Sequence, residues 1–429
     1  MKEKFKLTPL ERSWVLYDIG NSAFILMVST LIPIYFNSLA AAGGLNEDLY
    51  LSYWGYAGSI ATVLVAIIGP LCGAMADRNW KRQIFLMCVV IGTMTCGMMG
   101  AMTDWGTFLG MFILARVGYS ASIVFYDSML PEITDEKRMD TVSTMGYAYG
   151  YVGSVIPFAV CLVLVLMHES IGLTQKSAMG ISFGIISVWW AATSYPLISG
   201  YTQTAYQEAS GEPLVKQAFS QLLQTFKDAK KEKHIFLYLL SFFFFIDGVY
   251  TIIDMATAYG TALGLDTTGL LLALLVTQLV AFPFAILFGR LSSKYDTGLL
   301  IKICIIAYTC INVFGIFLVS QWQFWVLAVM VGMFQGGIQA LSRSYLGKII
   351  PAERSGEFYG LMDICGKGAS FVGMMLVSVV SQLTAGMCVN AFGVQLQNEN
   401  LAVGSLIILF IIGYVLFDKA DKLNKARQA

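Results

Sequence analysis

Charge is scarce in this 429-residue chain: only 13% of its residues are Asp, Glu, Lys or Arg, against roughly 25% in an average soluble domain, whereas 57% are hydrophobic. That pairing excludes an ordinary soluble protein. A single soluble core of this length is itself unexpected, since such cores stop growing beyond ~250–300 residues, and no Pro- or Ser-rich stretch divides the chain into modules. An excess of one sign is missing too. The 27 Lys and Arg balance 27 Asp and Glu, which removes both the basic footprint expected of a nucleic-acid partner and an acidic, disordered tail. The eight cysteines include no Cys-x-x-Cys pair; seven lie in apolar stretches and Cys388 in a later loop, so neither a disulfide framework nor a zinc site is indicated. A Gly-x-x-x-x-Gly-Lys-Ser/Thr phosphate loop, a Gly-x-Ser-x-Gly elbow and a His-Glu-x-x-His helix are all absent, which argues against ATP-driven or hydrolytic chemistry. No cofactor or metal is expected. The two histidines, His168 and His234, fall at segment ends, where solvation explains them. Met1–Arg12 is charged and leads into an apolar segment without a small-residue cleavage site, so that segment is expected to stay as a membrane helix.

What is present is a succession of apolar segments. About 20 mainly apolar residues cross the hydrocarbon core as a helix; residues 14–38, 51–75, 83–102, 106–130, 142–167 and 177–200 meet that requirement, as do 235–260, 268–289, 299–319, 323–348, 358–382 and 401–418. The fold class is therefore an all-α membrane protein with twelve transmembrane helices. Lys and Arg accumulate in cytoplasmic loops. Here they gather in the first tail (Lys2, Lys4, Lys6, Arg12), the even-numbered loops and the last tail, while the opposite loops hold only Lys176. Both termini are expected in the cytoplasm, with the chain in the cell inner or plasma membrane.

One long polar stretch, 201–234, separates an N-terminal six-helix bundle (1–200) from a C-terminal one (235–429). Within it Leu214, Ala218, Leu222 and Phe226 recur at helical spacing opposite lysines, as in an amphipathic helix lying on the membrane surface. The two bundles echo each other at a constant offset of 216 residues: Gly73 and Gly289, Arg138 and Arg354, Gly150 with Ser154 and Gly366 with Ser370. Recurrence at corresponding loops supports duplication.

The strongest local motif, GAMADRNWKR at 73–82, falls between spans two and three. It resembles the signature loop of the major facilitator superfamily, Gly-x-x-x-Asp-Arg-x-Gly-Arg-Arg/Lys, with Gly73, Asp77, Arg78, Lys81 and Arg82 in place and Trp80 at a glycine position. Gly73 allows close helix packing. Asp77 is suited to pair with a cation or to cap a helix N-terminus from the other half, forming with Gly73, Arg78 and Arg82 a latch that favours one domain arrangement. The second-half counterpart, GRLSSKY at 289–295, places Ser293 where the acid would be, so a charged latch is expected to be asymmetric and centred on Asp77. The stretches WVLYDIGNSAF (14–24), VFYDSMLPEI (124–133) and QALSRSYLGKIIPAERSGEFYGLMDICGKGAS (339–370) are similar to the vacuole-effluxer-like branch of that superfamily, which includes the autophagy-related vacuolar amino-acid effluxer of fungi and many bacterial members.

The resemblance implies a secondary transporter, not an enzyme, built from two pseudo-symmetric bundles that expose a site alternately to each side. A small polar organic solute is the expected cargo, an amino acid being favoured, and a monomer in the lipid bilayer the expected form. Ionisable groups within spans cost about 2.5–3.5 kcal/mol each at a helix centre on insertion scales and are functional candidates. Arg116 and Asp247 fall near mid-membrane, where superfamily members bind substrate between their halves, and Gln335 shares that level. Asp254 lies two turns further along the face of Asp247, and the two would form an acidic stripe. Asp18, Asn21 and Arg343 lie nearer the cytoplasm, as does an Asp363–Lys367 pair. Arg116 is expected to hold a carboxylate, while Asp247 holds an amine or carries a coupled proton; H+ is the candidate coupling ion. Two alternatives stand beside this: a transporter of a sugar, lipid or drug-like solute, and a non-transporting receptor or scaffold.

Overall fold

A computed structural model describes residues 5–46, 49–207, 232–384, 387–391, 394–396 and 398–428. The fold is mostly helical. Its helices are α1 (Pro9–Ser29), α2 (Leu31–Ala42), α3 (Tyr50–Met75), α4 (Lys81–Met99), α5 (Trp105–Ser128), the single turn α6 (Leu130–Ile133), α7 (Glu136–Leu166) and α8 (Gln175–Gly200). After the connection come α9 (Lys233–Ala262), α10 (Thr267–Leu291), α11 (Thr297–Ile316), α12 (Gln321–Ile349), α13 (Ser355–Leu383), a short hairpin of β1 (Val389–Ala391) and β2 (Val394–Leu396), α14 (Asn398–Gly404) and α15 (Ile407–Gln428). Among the described residues nine helical stretches are long and apolar enough to cross a membrane, or ten when α1 and α2, bent by 43° at Thr30, count as one span. Each expected apolar segment maps onto a helix or helix pair. Side chains set the helix starts: Thr8 and Glu11 form a capping box before α1, Ser320 and Gln323 one before α12, and Asp104, Asp266 and Asp296 accept from first-turn amides.

Two compact units result, and they are not the two halves of the sequence. Unit 1 comprises 1–135, 149–222 and 351–360; unit 2 comprises 136–148, 223–350 and 361–429. Each unit thus takes up a short segment from the other half, the first turns of α13 in unit 1 and those of α7 in unit 2. The expected boundaries, 1–200 and 235–429, pass over this exchange because periodicity identifies a helix but not which bundle each of its ends joins. The amphipathic helix expected within 201–234 lies largely outside the described residues.

In unit 1, α4 packs against α5 and α8, α1 against α8, and α3 against α5. Small residues make these approaches close: a Cβ on Gly118 would lie 2.6 Å from the amide nitrogen of Gly92, and one on Gly100 would lie 2.8 Å from the Cα of Gly180. In unit 2, α9 packs on α15 and α10 on α12, with Gly248 under the Phe410 ring and Gly337 under Phe288. Large apolar side chains such as Val188 and Leu383 stay exposed on both units, as expected where lipid takes the place of water.

Candidate functional site

The signature loop folds as one wide turn. Beyond α3, Arg78 (φ −107°, ψ 37°) and Asn79 (φ 70°, ψ 22°) leave helical geometry before α4 begins. The left-handed position is Asn79, a residue type that tolerates it, and Trp80 keeps a φ of −111°. No glycine is needed at 80, so the chain turns despite its departure from the pattern.

Asp77 and Lys81, one turn apart, are both fully buried in unit 1. Asp77 Oδ1 accepts the backbone N–H of Gly356 (2.8 Å) and Oδ2 that of Glu357 (3.0 Å). These are amides of the first turn of α13, which have no acceptor within their own helix. The approach depends on two glycines: a Cβ on Gly73 would lie 2.5 Å from the Gly356 carbonyl oxygen, and one on Gly356 would lie 2.7 Å from Asp77 Oδ1. Lys81 Nζ donates to Glu132 (2.5 Å), the Ser355 hydroxyl (2.9 Å) and the Ser128 carbonyl (3.3 Å), with Asp77 at 3.9 Å. Of the expected latch residues, Gly73 and Asp77 meet α13. Arg82 turns elsewhere, its Nε donating to the Ile198 carbonyl (2.7 Å) in the last turn of α8, and Arg78 sits partly exposed in the break itself. The buried cation is Lys81.

Burial pushes the Asp77 carboxyl up to about 7; Lys81 opposes the rise, Glu357 adds to it, and the two backbone amides oppose it. In a hydrated loop the same group returns to roughly 3.9. The arrangement in which buried Asp77 holds the two α13 amides therefore binds the proton more tightly, so it weakens relative to a hydrated one as pH rises from about 4 to about 7 and changes little above that. Amide-exchange protection at Gly356 and Glu357, corrected for chemical exchange, is expected to follow that curve, and Asp77→Asn to flatten it. A protection that rises with pH in the wild type would contradict the sign.

Unit 2 carries a counterpart with the charges exchanged. Asp140 on α7, at the position offset by 216 from Gly356, accepts the Ser344 hydroxyl (2.6 Å), the Thr297 hydroxyl (2.6 Å) and Lys348 Nζ (2.7 Å). Lys348 and Thr297 stand where unit 1 has Glu132 and Lys81. Gly289 repeats the role of Gly73, accepting the Thr141 hydroxyl at its carbonyl (3.1 Å) and leaving no room for a Cβ beside Thr144 Oγ1. The 289–295 loop has Ser293 where the acid would be, as expected; the acid of the unit 2 network is carried on α7 as Asp140. Arg343 is buried in the same network, with Nε on the Ser143 hydroxyl (2.9 Å), Nη2 on the Ser143 carbonyl (2.8 Å) and its guanidinium 4.5 Å from the Tyr147 ring.

Deeper in each unit lie the candidates for solute chemistry. In unit 2 the fully buried Asp247 accepts the backbone N–H of Gly373 (2.9 Å) and the Thr251 hydroxyl (3.2 Å) at Oδ1, while Oδ2 is buried without a hydrogen-bond partner. Gly373 is required there, since a Cβ would collide with Asp247 and Thr251. Asp254 is exposed, so the expected acidic stripe does not form a uniform lining; packing encloses only the member that faces Gly373. Gln335 is buried, with Oε1 unpartnered. In unit 1 Arg116 is half-buried, its Nη1 buried without a hydrogen-bond partner and its guanidinium 5.8 Å from the Tyr119 ring. Asp18 accepts the Tyr126 hydroxyl (3.1 Å), and the Asn21 side-chain amide donates to the Tyr17 carbonyl (3.2 Å). The first of these joins α1 to α5 beside the stacked Trp14 and Tyr126 rings, while the second stays within α1. The side chain of Lys367, expected to pair with Asp363, lies outside what is described.

Sequence reasoning singled out none of Lys81, Glu132, Asp140, Lys348 or Ser143 as a site residue. The repeat offset carried a usable signal, because it places Lys348 against Glu132.

Helical bundles that exchange first turns, a signature loop gripping the start of α13 and ionisable groups enclosed at mid-helix define a membrane transporter of the major facilitator type. Its fold is that of solved members: a bacterial homologue of the iron transporter ferroportin in an outward-facing state (TM-score 0.70, 12% identity, covering 96% of this chain and 98% of that one) and FucP in the outward conformation (TM-score 0.68, 13% identity, 96% and 97%). Within that class the chain belongs to the vacuole effluxer Atg22-like family, whose model matches residues 49–428. It is 38% identical over 418 residues to an uncharacterized MFS-type transporter, YxiO, of Bacillus subtilis, covering 96% of this chain and 94% of that protein. It is 20% identical over 459 residues to autophagy-related protein 22 of Saccharomyces cerevisiae, covering 87% and 86%.

Proposed function

We propose that this transporter is secondary active, moves a small polar organic solute with an amino acid as the favoured class, and couples that movement to protons through Asp247, with both termini in the cytoplasm. The observation that carries the coupling role is the state of Asp247. Its carboxylate is enclosed, one oxygen engaged by an amide inside α13 and the other buried without a partner. A group so enclosed is better placed to exchange a proton than to grip an amine directly, because protonation supplies a donor and removes an uncompensated buried charge. Arg116, whose buried Nη1 has no hydrogen-bond acceptor, is the group we assign to a solute carboxylate, an arrangement that favours amino acids over sugars. Gln335, with its unpartnered Oε1, is assigned to a solute hydrogen-bond donor. The insertion cost of such groups also speaks for transport over a scaffold role.

A ligand-stabilisation screen over amino acids, peptides, sugars and nucleosides selects the solute, and proteoliposomes test the coupling. With the amino acid that stabilises most, Asp247→Asn is expected to lower uptake driven by a pH gradient by at least ~10-fold, the rate cost of about 1.4 kcal/mol, while counterflow exchange without a gradient persists. Unchanged gradient-driven uptake would sink the proton role. Stabilisation by sugars alone would sink the solute class.

A further inference from the structure

The segment that follows α8 is more than the start of a tether. Residues 201–207 run as a non-helical strap inside unit 1, and several of its polar groups bond the signature loop or Glu132. The Gln203 side chain spans the loop, with Nε2 donating to the Ala76 carbonyl (2.9 Å) and Oε1 accepting the Lys81 backbone N–H (3.1 Å). It thereby ties together the two ends of the turn that contains the left-handed Asn79. The Gln207 N–H donates to the Asp77 carbonyl (2.7 Å). Glu132, the partner of Lys81, is held by the strap as well: its Oε1 accepts the Tyr201 hydroxyl (3.0 Å) and its Oε2 the amides of Thr204 (2.9 Å) and Ala205 (3.2 Å). Tyr201 and Gln203 are buried.

We propose that the 201–207 strap keeps the signature-loop latch closed, with Gln203 as the positioning residue, so that displacing the strap releases Asp77 and Lys81 from α13. Asp77 and Lys81, the two charged groups that meet α13, are both held from the strap side as well. Gln203 fixes the backbone on both sides of Asp77, and Glu132 receives Lys81 with a carboxylate already oriented by two strap amides and a tyrosine hydroxyl. The strap continues directly into the polar connection that carries Lys216, Lys227, Lys230 and Lys231, so a ligand or surface that pulls on that connection acts on the latch through the chain itself. The inference rests on the latch belonging to the transport cycle, yet its test does not require transport.

Residue-resolved amide exchange on the full-length wild type is the first measurement. The amides of Thr204, Ala205 and Gln207 are expected to share one protection factor with those of Lys81, Gly356 and Glu357, as members of a single cooperative unit. Strap amides that exchange while Gly356 and Glu357 stay protected would overturn the proposal. Gln203→Leu removes donor and acceptor together and is expected to raise exchange at Gly356 and Glu357 by ~10-fold or more, a shift of about 1.4 kcal/mol. Gln203→Glu keeps the acceptor for Lys81 and is expected to fall between leucine and wild type. A merely structural Gln203 would lower Tm without singling out the α13 amides. If the leucine variant does not fold, the wild-type comparison decides alone. Absence of solute exchange in proteoliposomes would count against the transport reading and leave these exchange data untouched.

Discussion

Replacing Lys81 by methionine is expected to destabilise unit 1 by about 3–5 kcal/mol, the loss typical when one partner is removed from a buried ion pair. The side chain is wholly enclosed, and its ammonium lies between Glu132 at 2.5 Å and Asp77 at 3.9 Å. Methionine fills similar volume, so the deficit is electrostatic: two carboxylates stay buried with nothing between them. The companion change Glu132→Gln removes one of those charges; its amide oxygen keeps an acceptor for the two strap amides, while its NH2 group faces the Tyr201 hydroxyl oxygen and donates to it. The double variant is therefore expected to recover most of the loss, and the cycle to show strong non-additivity. Thermal melting in detergent reads both effects. Additive single losses would show that Lys81 stabilises by packing and that the charge network is incidental.

The sequence made the helices and the signature loop legible for a simple physical reason. Twenty apolar residues cannot do much in lipid except form a helix whose backbone satisfies itself, and a glycine followed by an Asp-Arg pair between two such helices has few other uses. Helix ends and partners were harder to read. Periodicity cannot show that residues 136–148 of α7 join unit 2 while 149–166 join unit 1, because that choice is made by Asp140, Ser143 and Thr141 meeting groups some 150–200 residues away in the chain. The strap reads as polar linker for the same reason: a run such as Tyr-Thr-Gln-Thr-Ala has no periodicity, and its hydrogen bonds exist only once Glu132 and the 76–81 loop are folded beneath it. Asp247 and Asp254 show the limit of helical spacing. Seven residues place them on one face, but only contact with Gly373 distinguishes the enclosed carboxylate from the exposed one.

Gly73→Val has the second of the large expected effects and tests the latch by shape instead of charge. The Cβ position at Gly73 lies 2.5 Å from the carbonyl oxygen of Gly356 and 2.9 Å from its carbonyl carbon. Both are backbone atoms at the start of α13, so no rotamer change relieves the clash, and the two segments have to separate. Separation stretches the Gly356 and Glu357 amides away from Asp77. The cost is that of overpacking, about 1–3 kcal/mol, which corresponds to a shift of roughly 5–150-fold away from the latched arrangement. Protection of those two amides is expected to fall by that factor while helices remote from the loop, such as α10 and α12, keep theirs. Gly289→Val offers the internal comparison. The atom it meets in unit 2 is the Thr144 hydroxyl oxygen, the end of a side chain that can rotate, with the backbone of Thr141 no nearer than 3.6 Å. Its effect should be several-fold smaller, even though the two glycines stand at equivalent points of the repeat. Equal effects at both positions would mean that α13 yields as easily as a threonine rotamer, and the fixed register between the signature loop and the start of α13 would have to be abandoned.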